Sequence, residues 1–97
     1  MDYSPYIIEE NKLIAEFMGN RDLTLYHAKW QKGDDIIYLK YHTSWDWLMP
    51  VVEKIYNIPK GNPLIEDRLT VSLISADIKF THELIIEFIK WYNEQKG

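Results

Sequence analysis

The stretch YHTSWDWLMPVVEKI, residues 41–55, is the most strongly patterned part of the chain. A hydroxyl at Thr43 or Ser44 can cap a helix here by accepting a hydrogen bond from an amide of the first turn, and Asp46 suits the positive end of the helix dipole. Apolar side chains recur at spacings of three and four residues and so share one helical face: Trp47, Leu48, Val51, Val52 and Ile55. The stretch therefore predicts a helix with one buried side.

A proline interrupts the apolar run at position 50. If the helix starts at Trp45, Pro50 removes one backbone hydrogen bond and bends the axis. Alternatively, Pro50 is the first residue of a shorter helix, a position that proline favours. We favour the bent helix that starts at Trp45.

On the N-terminal side, an apolar stripe predicts a helix over about residues 9–18, or from Pro5 if the helix is longer. Gly19 is a suitable helix end because glycine adopts the left-handed conformation at little cost. Residues 23–30 and 36–41 are rich in strand-forming side chains, and the five residues between them include a glycine. This pattern predicts a β-hairpin.

On the C-terminal side, prolines and glycine predict a loop over residues 57–68. Apolar and polar side chains then alternate over residues 69–74, which predicts a strand. A final helix is expected at about 78–95, capped by Ser75 or Asp77. Its apolar face is wider than a surface helix needs, so we expect a central helix or one that also contacts a partner chain.

These elements give the order α-β-β-α-β-α in one domain, residues 1–97. The predicted fold class is α+β: a small α/β sandwich in which helices cover a three-stranded, mostly antiparallel sheet. The second and third strands are joined through a helix, which allows a parallel, right-handed crossover between them.

Composition excludes several functional classes. The net charge of −4 argues against nonspecific binding to nucleic acid, which needs clustered Lys and Arg. The chain has no cysteine, which excludes disulfides, thiol catalysis and Cys-ligated zinc, and its three histidines lack metal-binding spacing. Without a long apolar run or a leader, the prediction is a cytoplasmic protein that does not contact membranes.

One constellation invites a catalytic interpretation. His42, Ser44 and Asp46 are the residue types of a hydrolase triad, but no flanking glycines or oxyanion-hole donors accompany them. We favour the simpler interpretation, in which Ser44 and Asp46 start the helix and His42 ends a strand. The sequence therefore predicts no enzyme, no catalytic residue, no metal and no cofactor.

Three segments, residues 8–19, 41–55 and 87–93, resemble small phage and prophage proteins with the phage α/β/α (ABA) sandwich domain. The resemblance covers three helices and about half of the chain. It implies the sandwich fold and a setting in the cytosol of a bacterial host. It implies no activity and no site residues.

The predicted function is that of a non-enzymatic phage or mobile-element accessory protein, a protein-binding module acting on a host or phage factor. Aromatic side chains are favoured interface anchors. The candidate binding residues are Trp45, Trp47, His42, Trp91 and Tyr92. A homodimer is left open.

The alternative is a small-molecule module that binds or sequesters a nucleotide. Such a module needs a concave pocket with convergent polar groups. Lys40, His42 and Arg68 are the donors that the sequence offers for it.

Overall fold

The computed structural model describes residues 5–19 and 39–96, of which 77% are helical. The helices are α1 (Pro5–Phe17), α2 (Trp45–Tyr56), α3 (Pro63–Ile74) and α4 (Ile78–Lys96). None of the residues described lies in a strand. The predicted α+β sandwich with a three-stranded sheet is therefore wrong, and the described part of the fold is all-helical.

Helix α1 takes the longer of the two predicted forms. It begins at Pro5, where a proline loses no helical hydrogen bond because first-turn amides have no partner within the helix. Gly19 follows its end with φ of 72°, the left-handed conformation expected of it. Lys54 of α2 donates a hydrogen bond to the carbonyl of Phe17, which ties the end of α1 to α2.

Helix α2 confirms the prediction that the helix in residues 41–55 starts at Trp45 and not at Pro50. It begins at Trp45, follows an extended Ser44 and contains Pro50 in its interior. The side chain of Ser44 does not form the predicted capping hydrogen bond. The Ser44 carbonyl instead accepts hydrogen bonds from the amides of Trp47 and Leu48, at 3.2 and 3.1 Å.

Replacing Pro50 by Ala is expected to raise the free energy of unfolding by about 2–2.6 kcal/mol. Alanine supplies the missing amide and is about 3 kcal/mol more favourable in a helix interior, while the freer unfolded chain costs about 0.4–1 kcal/mol. Pro50 is exposed, so little packing is lost. Urea unfolding followed by circular dichroism measures the change. Pro59→Ala, outside the helices, is the control and should give no gain; an equal gain would refute the explanation.

Residues 57–62 connect two helices, as predicted, but helix α3 replaces the predicted loop over residues 63–68 and the predicted strand over residues 69–74. Its start carries two signals that the loop prediction overlooked. The Oδ1 of Asn62 accepts a hydrogen bond from the amide of Ile65 at 3.3 Å, and Pro63 occupies the first turn. An asparagine cap followed by proline is a typical helix start.

Burial along α3 follows the helical repeat. A strand would place Leu69 and Val71 on the same face, whereas Leu69 is fully buried and Val71 is 59% exposed. Ser72, assigned to the polar face of the strand, is buried against α4. Its hydroxyl donates to the Leu69 carbonyl at 2.7 Å and accepts from the Thr81 hydroxyl at 2.8 Å. Packing against α4 therefore selects the helix.

Of the predicted β-hairpin over residues 23–41, the structure describes only residues 39–41. The strand over residues 23–30 and the turn over 31–35 lie outside the described residues. Of the strand over 36–41, residues 39–41 are described, and none of them lies in a strand: residues 41–43 form a turn. The amides of Thr43 and Ser44 donate to the Lys40 carbonyl at 3.1 and 3.0 Å.

Helix α4 is the central element and matches its predicted bounds to within one residue. The Oδ1 of Asp77 accepts from the amide of Phe80 at 3.0 Å, which makes Asp77 the cap. The helix packs against α1, α2 and α3, which explains its wide apolar face. Its buried apolar residues are Leu84, Ile85, Ile86, Phe88 and Ile89.

The side chains buried between the helices form one apolar cluster. Its fully buried members come from every helix and include Ile14, Leu48, Ile55, Leu69 and Phe88. Burying each such side chain stabilises the fold by about 1.5–3 kcal/mol. No helix within the described ranges is both long and apolar enough to cross a membrane.

Candidate functional site

The four predicted aromatic site residues serve mainly as packing. Trp45 and Trp47 are half-buried against the core, and Trp47 meets the Tyr41 ring edge-to-face with centroids 5.2 Å apart. Trp91 and Tyr92 are also half-buried and pack on Phe88. These rings border the core and stay predicted binding residues, while a buried polar cluster lies elsewhere.

The fifth predicted residue, His42, belongs to a polar cluster centred on Asn11, whose side chain is 1% exposed. The Asn11 Nδ2 lies 3.0 Å from the Leu39 carbonyl and 2.9 Å from His42 Nδ1. The Asn11 Oδ1 lies 2.9 Å from Nε2 of His82. One amide thus joins α1, the turn before α2 and α4.

The Leu39 carbonyl determines where the protons lie in this cluster. A carbonyl only accepts hydrogen bonds, so the atom facing it must be the Asn11 amide nitrogen. That nitrogen has two hydrogens, and the second is donated to His42 Nδ1, which therefore acts as acceptor. The Asn11 oxygen then accepts from Nε2–H of His82. Both imidazoles are held in one tautomer.

This arrangement does not form the triad considered for residues 42–46. In a triad, one imidazole nitrogen faces the serine and the other faces the carboxylate. In His42, Nδ1 is occupied by Asn11, so at most one of the two partners can be engaged. Asp46 lies exposed in the first turn of α2, and Ser44 precedes that helix.

A pocket of about 530 Å³ lies beside the cluster, between α1, the turn and the start of α4. It is lined by Tyr6, Ile7, Glu10, His42, Lys79, His82 and Glu83. A second concavity of about 300 Å³ continues along α4 and shares Tyr6, Glu10 and Glu83 with the first. The second concavity adds Ile86, Glu87 and Lys90. We call the two concavities together the α1–α4 pocket.

Glu10 is the distinctive group of this pocket because its side chain is charged yet only 9% exposed. Its Oε1 lies 3.8 Å from Nδ1 of His82, but that contact is an ion pair only if the imidazole is protonated. Burial, and then the neighbouring His42, lower the pKa of His82 to about 4. His82 is therefore neutral at pH 7 and does not neutralise the carboxylate.

Tyr6 supplies the other contact of Glu10. A hydrogen bond to the Glu10 carboxylate, and then its negative charge, raise the pKa of the Tyr6 phenol. The phenol is thus a neutral donor at pH 7. Within the described ranges, no Lys or Arg nitrogen lies at ion-pair distance from Glu10. The pocket therefore contains a largely buried carboxylate that makes no ion pair with a Lys or Arg of the described residues.

The nucleotide alternative does not find its donors together. Arg68 lines a separate concavity of about 310 Å³ with Trp91, whereas His42 lines the α1–α4 pocket. Lys40 is exposed in the segment before the turn. Among the side chains that the structure describes, no group of three or more His, Asp or Glu residues could hold a metal ion.

The central residues of this site, Asn11 and His82, are not among the predicted ones, although the sequence contains a signal for them. Asn11 falls four residues after Ile7 and three before Ile14, on the apolar face of α1. His82 likewise falls four residues after Ile78 and three before Ile85 on α4. A polar side chain in an apolar stripe needs a hydrogen-bond partner, and these two find each other.

Comparison with protein-family models, with curated proteins and with solved structures gives no significant match. The phage or prophage setting implied by the resemblance to α/β/α sandwich proteins therefore stays a prediction. The sandwich fold that it implied conflicts with the helices described above.

Proposed function

We propose that this protein is a non-enzymatic protein-binding module whose α1–α4 pocket receives a Lys or Arg side chain of a partner protein. The observation that carries the proposal is the Glu10 carboxylate, which faces the pocket and makes no ion pair with a Lys or Arg of the described residues. A buried charge is costly unless it is paired with an opposite charge. A cation entering the pocket would supply that pairing.

The other lining residues favour the same ligand. Glu83 borders both concavities and Glu87 borders the second, so a cation entering beside Glu10 meets additional carboxylates. The Tyr6 ring, which is 69% exposed, offers an aromatic face on which an ammonium or guanidinium group can stack. Ile7 and Ile86 can pack against the methylene groups of a long basic side chain.

Two lysines restrict what can flank that cation. Lys79 lines the first concavity and Lys90 the second. A continuous run of basic residues would meet repulsion from both lysines. A single Lys or Arg flanked by polar or acidic residues would instead pair with all of these charges.

The setting is part of the same proposal. The three segments that resemble phage and prophage proteins support a phage or mobile-element accessory protein in the cytosol of a bacterial host. Its partner would then be a host or phage factor that presents a basic side chain on its surface.

A short peptide tests the recognition directly. An acetylated peptide Asp-Ser-Arg-Ser-Asp is expected to shift the amide resonances of α1 and of the first half of α4 in an NMR titration. Replacing its arginine by citrulline keeps the shape but removes the charge, and should abolish binding. Equal binding of both peptides, or shifts confined to other helices, would contradict the proposal.

Glu83→Gln is expected to weaken binding of the arginine peptide by about tenfold. This corresponds to about 1.4 kcal/mol for the loss of one ion pair in the pocket. Glu83 is exposed, so the variant should fold normally. Glu94→Gln removes the same charge from the exposed end of α4 and is the matched control. Equal weakening in both variants would show that only the net charge matters.

A second candidate is a module that binds a free cationic small molecule. The pocket volume of about 530 Å³ favours this candidate, because it is within the range of small-molecule sites. A nucleotide phosphate is disfavoured because it would face Glu10 and Glu83. Titration with agmatine, a free guanidinium compound, separates the candidates: tighter binding than the peptide would favour the small molecule.

A further inference from the structure

We infer that a groove between α2 and α3 is a second docking surface, and that it takes an amphipathic helix with an apolar anchor flanked by Lys or Arg. The groove has a volume of about 430 Å³ and is separate from the α1–α4 pocket. It is lined by Met49, Pro50, Val52, Glu53, Tyr56 and Leu73. All but one of these residues are apolar or aromatic.

Apolar side chains at this groove are unusually open to solvent. Met49 is 44% exposed and Tyr56 is 41% exposed. Large exposed apolar side chains that border one concavity are typical of interaction surfaces, and methionine adapts well to the shape of a partner.

The walls of the groove are held in place before any partner arrives. The Tyr56 hydroxyl and the Thr70 hydroxyl share a hydrogen bond of 2.6 Å, which joins α2 to α3. Val52 is 2% exposed and anchors the floor in the core. A groove that is already formed costs less conformational entropy on binding.

Charge identifies the chemistry of the occupant. Asp46 and Glu53 lie about one turn on either side of Met49 and Pro50 along the exposed side of α2. None of the groove-lining residues is basic. Lys54, the lysine within α2, donates instead to the carbonyl of Phe17 at α1. The rim along α2 is therefore acidic, which complements basic residues beside an apolar anchor.

A second copy of this chain does not meet that requirement. In a two-fold dimer the same surface meets itself, so the acidic rim of one copy would face the acidic rim of the other. A helix suits the site better, because apolar side chains spaced three and four residues apart insert into a groove between two helices. The occupant is therefore a basic amphipathic helix of another protein.

A synthetic helical peptide with leucine on one face and lysine on both sides of it provides the probe, and fluorescence anisotropy measures its affinity. Glu53→Lys is expected to weaken binding by about tenfold, because it reverses a charge on the rim. Glu94→Lys makes the same charge change on α4 and should leave the affinity unchanged. A peptide with alanine in place of leucine should bind at least about tenfold more weakly.

Three results would overturn the inference. They are an unchanged affinity in Glu53→Lys, an equal loss in Glu94→Lys, and equal binding of a peptide whose lysines are replaced by glutamates. Glu83→Gln separates this surface from the α1–α4 pocket: the helical peptide should bind that variant normally. If Glu83→Gln weakens the helical peptide, the peptide occupies the pocket and the groove is not its site.

Discussion

Replacing Asn11 by Leu is expected to lower the free energy of unfolding by about 3–4.5 kcal/mol. The substitution keeps a side chain of similar size but removes three hydrogen bonds, to the Leu39 carbonyl, His42 and His82. Each lost bond leaves a polar group short of its partner and costs about 1–1.5 kcal/mol. Urea unfolding followed by tryptophan fluorescence and by circular dichroism measures the loss.

The matched control for this variant is Asn93→Leu, which makes the same chemical change at an exposed position of α4. Surface substitutions of this kind usually change stability by less than about 0.5 kcal/mol. A loss below about 1 kcal/mol in Asn11→Leu would show that water replaces the amide, and that the cluster is not what joins α1 to α4.

Acidification is expected to remove up to about 3 kcal/mol of stability through His82 alone. The pKa of His82 is lowered to about 4 in the folded protein, from about 6.5 in the unfolded chain. Between these values the unfolded chain binds a proton that the folded protein does not, so unfolding is favoured. The contribution of His82 is complete above about pH 6.5 and is lost as the pH falls towards 4.

His82→Gln isolates this effect from the titration of the carboxylates. The glutamine amide can still donate to the Asn11 oxygen, but it does not titrate. The difference in unfolding free energy between the two proteins should change by about 3 kcal/mol between about pH 7 and pH 4. The groups facing His82 are Glu10 and His42, which both proteins keep. Parallel pH profiles would show that His82 protonates freely in the folded state.

Asn11 and His82 also affect the α1–α4 pocket, because His82 lines it and Asn11 holds His82. Asn11 positions both imidazoles, and the neutral His82 leaves the Glu10 carboxylate available for a cation from a partner. A protonated His82 would compete for that carboxylate. We therefore expect binding of the arginine peptide to weaken as the pH falls towards 4, in step with the loss of stability.

Three helices could be predicted from local sequence. Helix α2 has an apolar repeat over residues 47–55, α4 has an aspartate cap and a long apolar face, and Gly19 follows the end of α1. Caps and repeats act within one or two turns, so they can be recognised without knowing the fold. The four aromatic residues predicted to bind a partner are half-buried at the border of the core, and their role in binding stays a prediction.

Residues 69–74 show where local sequence is ambiguous. In six residues the alternation of a strand and the repeat of a helix both match, since Leu69 and Leu73 share a face in either conformation. The bond between Ser72 and Thr81 and the burial of Leu69 against the core decide for the helix. Asn62 and Pro63 are a local signal for the start of this helix, although prolines and glycine in the same segment also predict a loop.

The sequence by itself determined the three helices with local caps and clear repeats, the acidic charge, and the absence of cysteine chemistry. Only the tertiary structure decided the conformation of residues 69–74 and the composition of the candidate site. Asn11 and His82 are 71 positions apart, and a polar residue in an apolar stripe shows that it needs a partner without showing which one. The packing of α1 on α4 makes that choice, because it brings the two side chains within hydrogen-bonding distance in the interior.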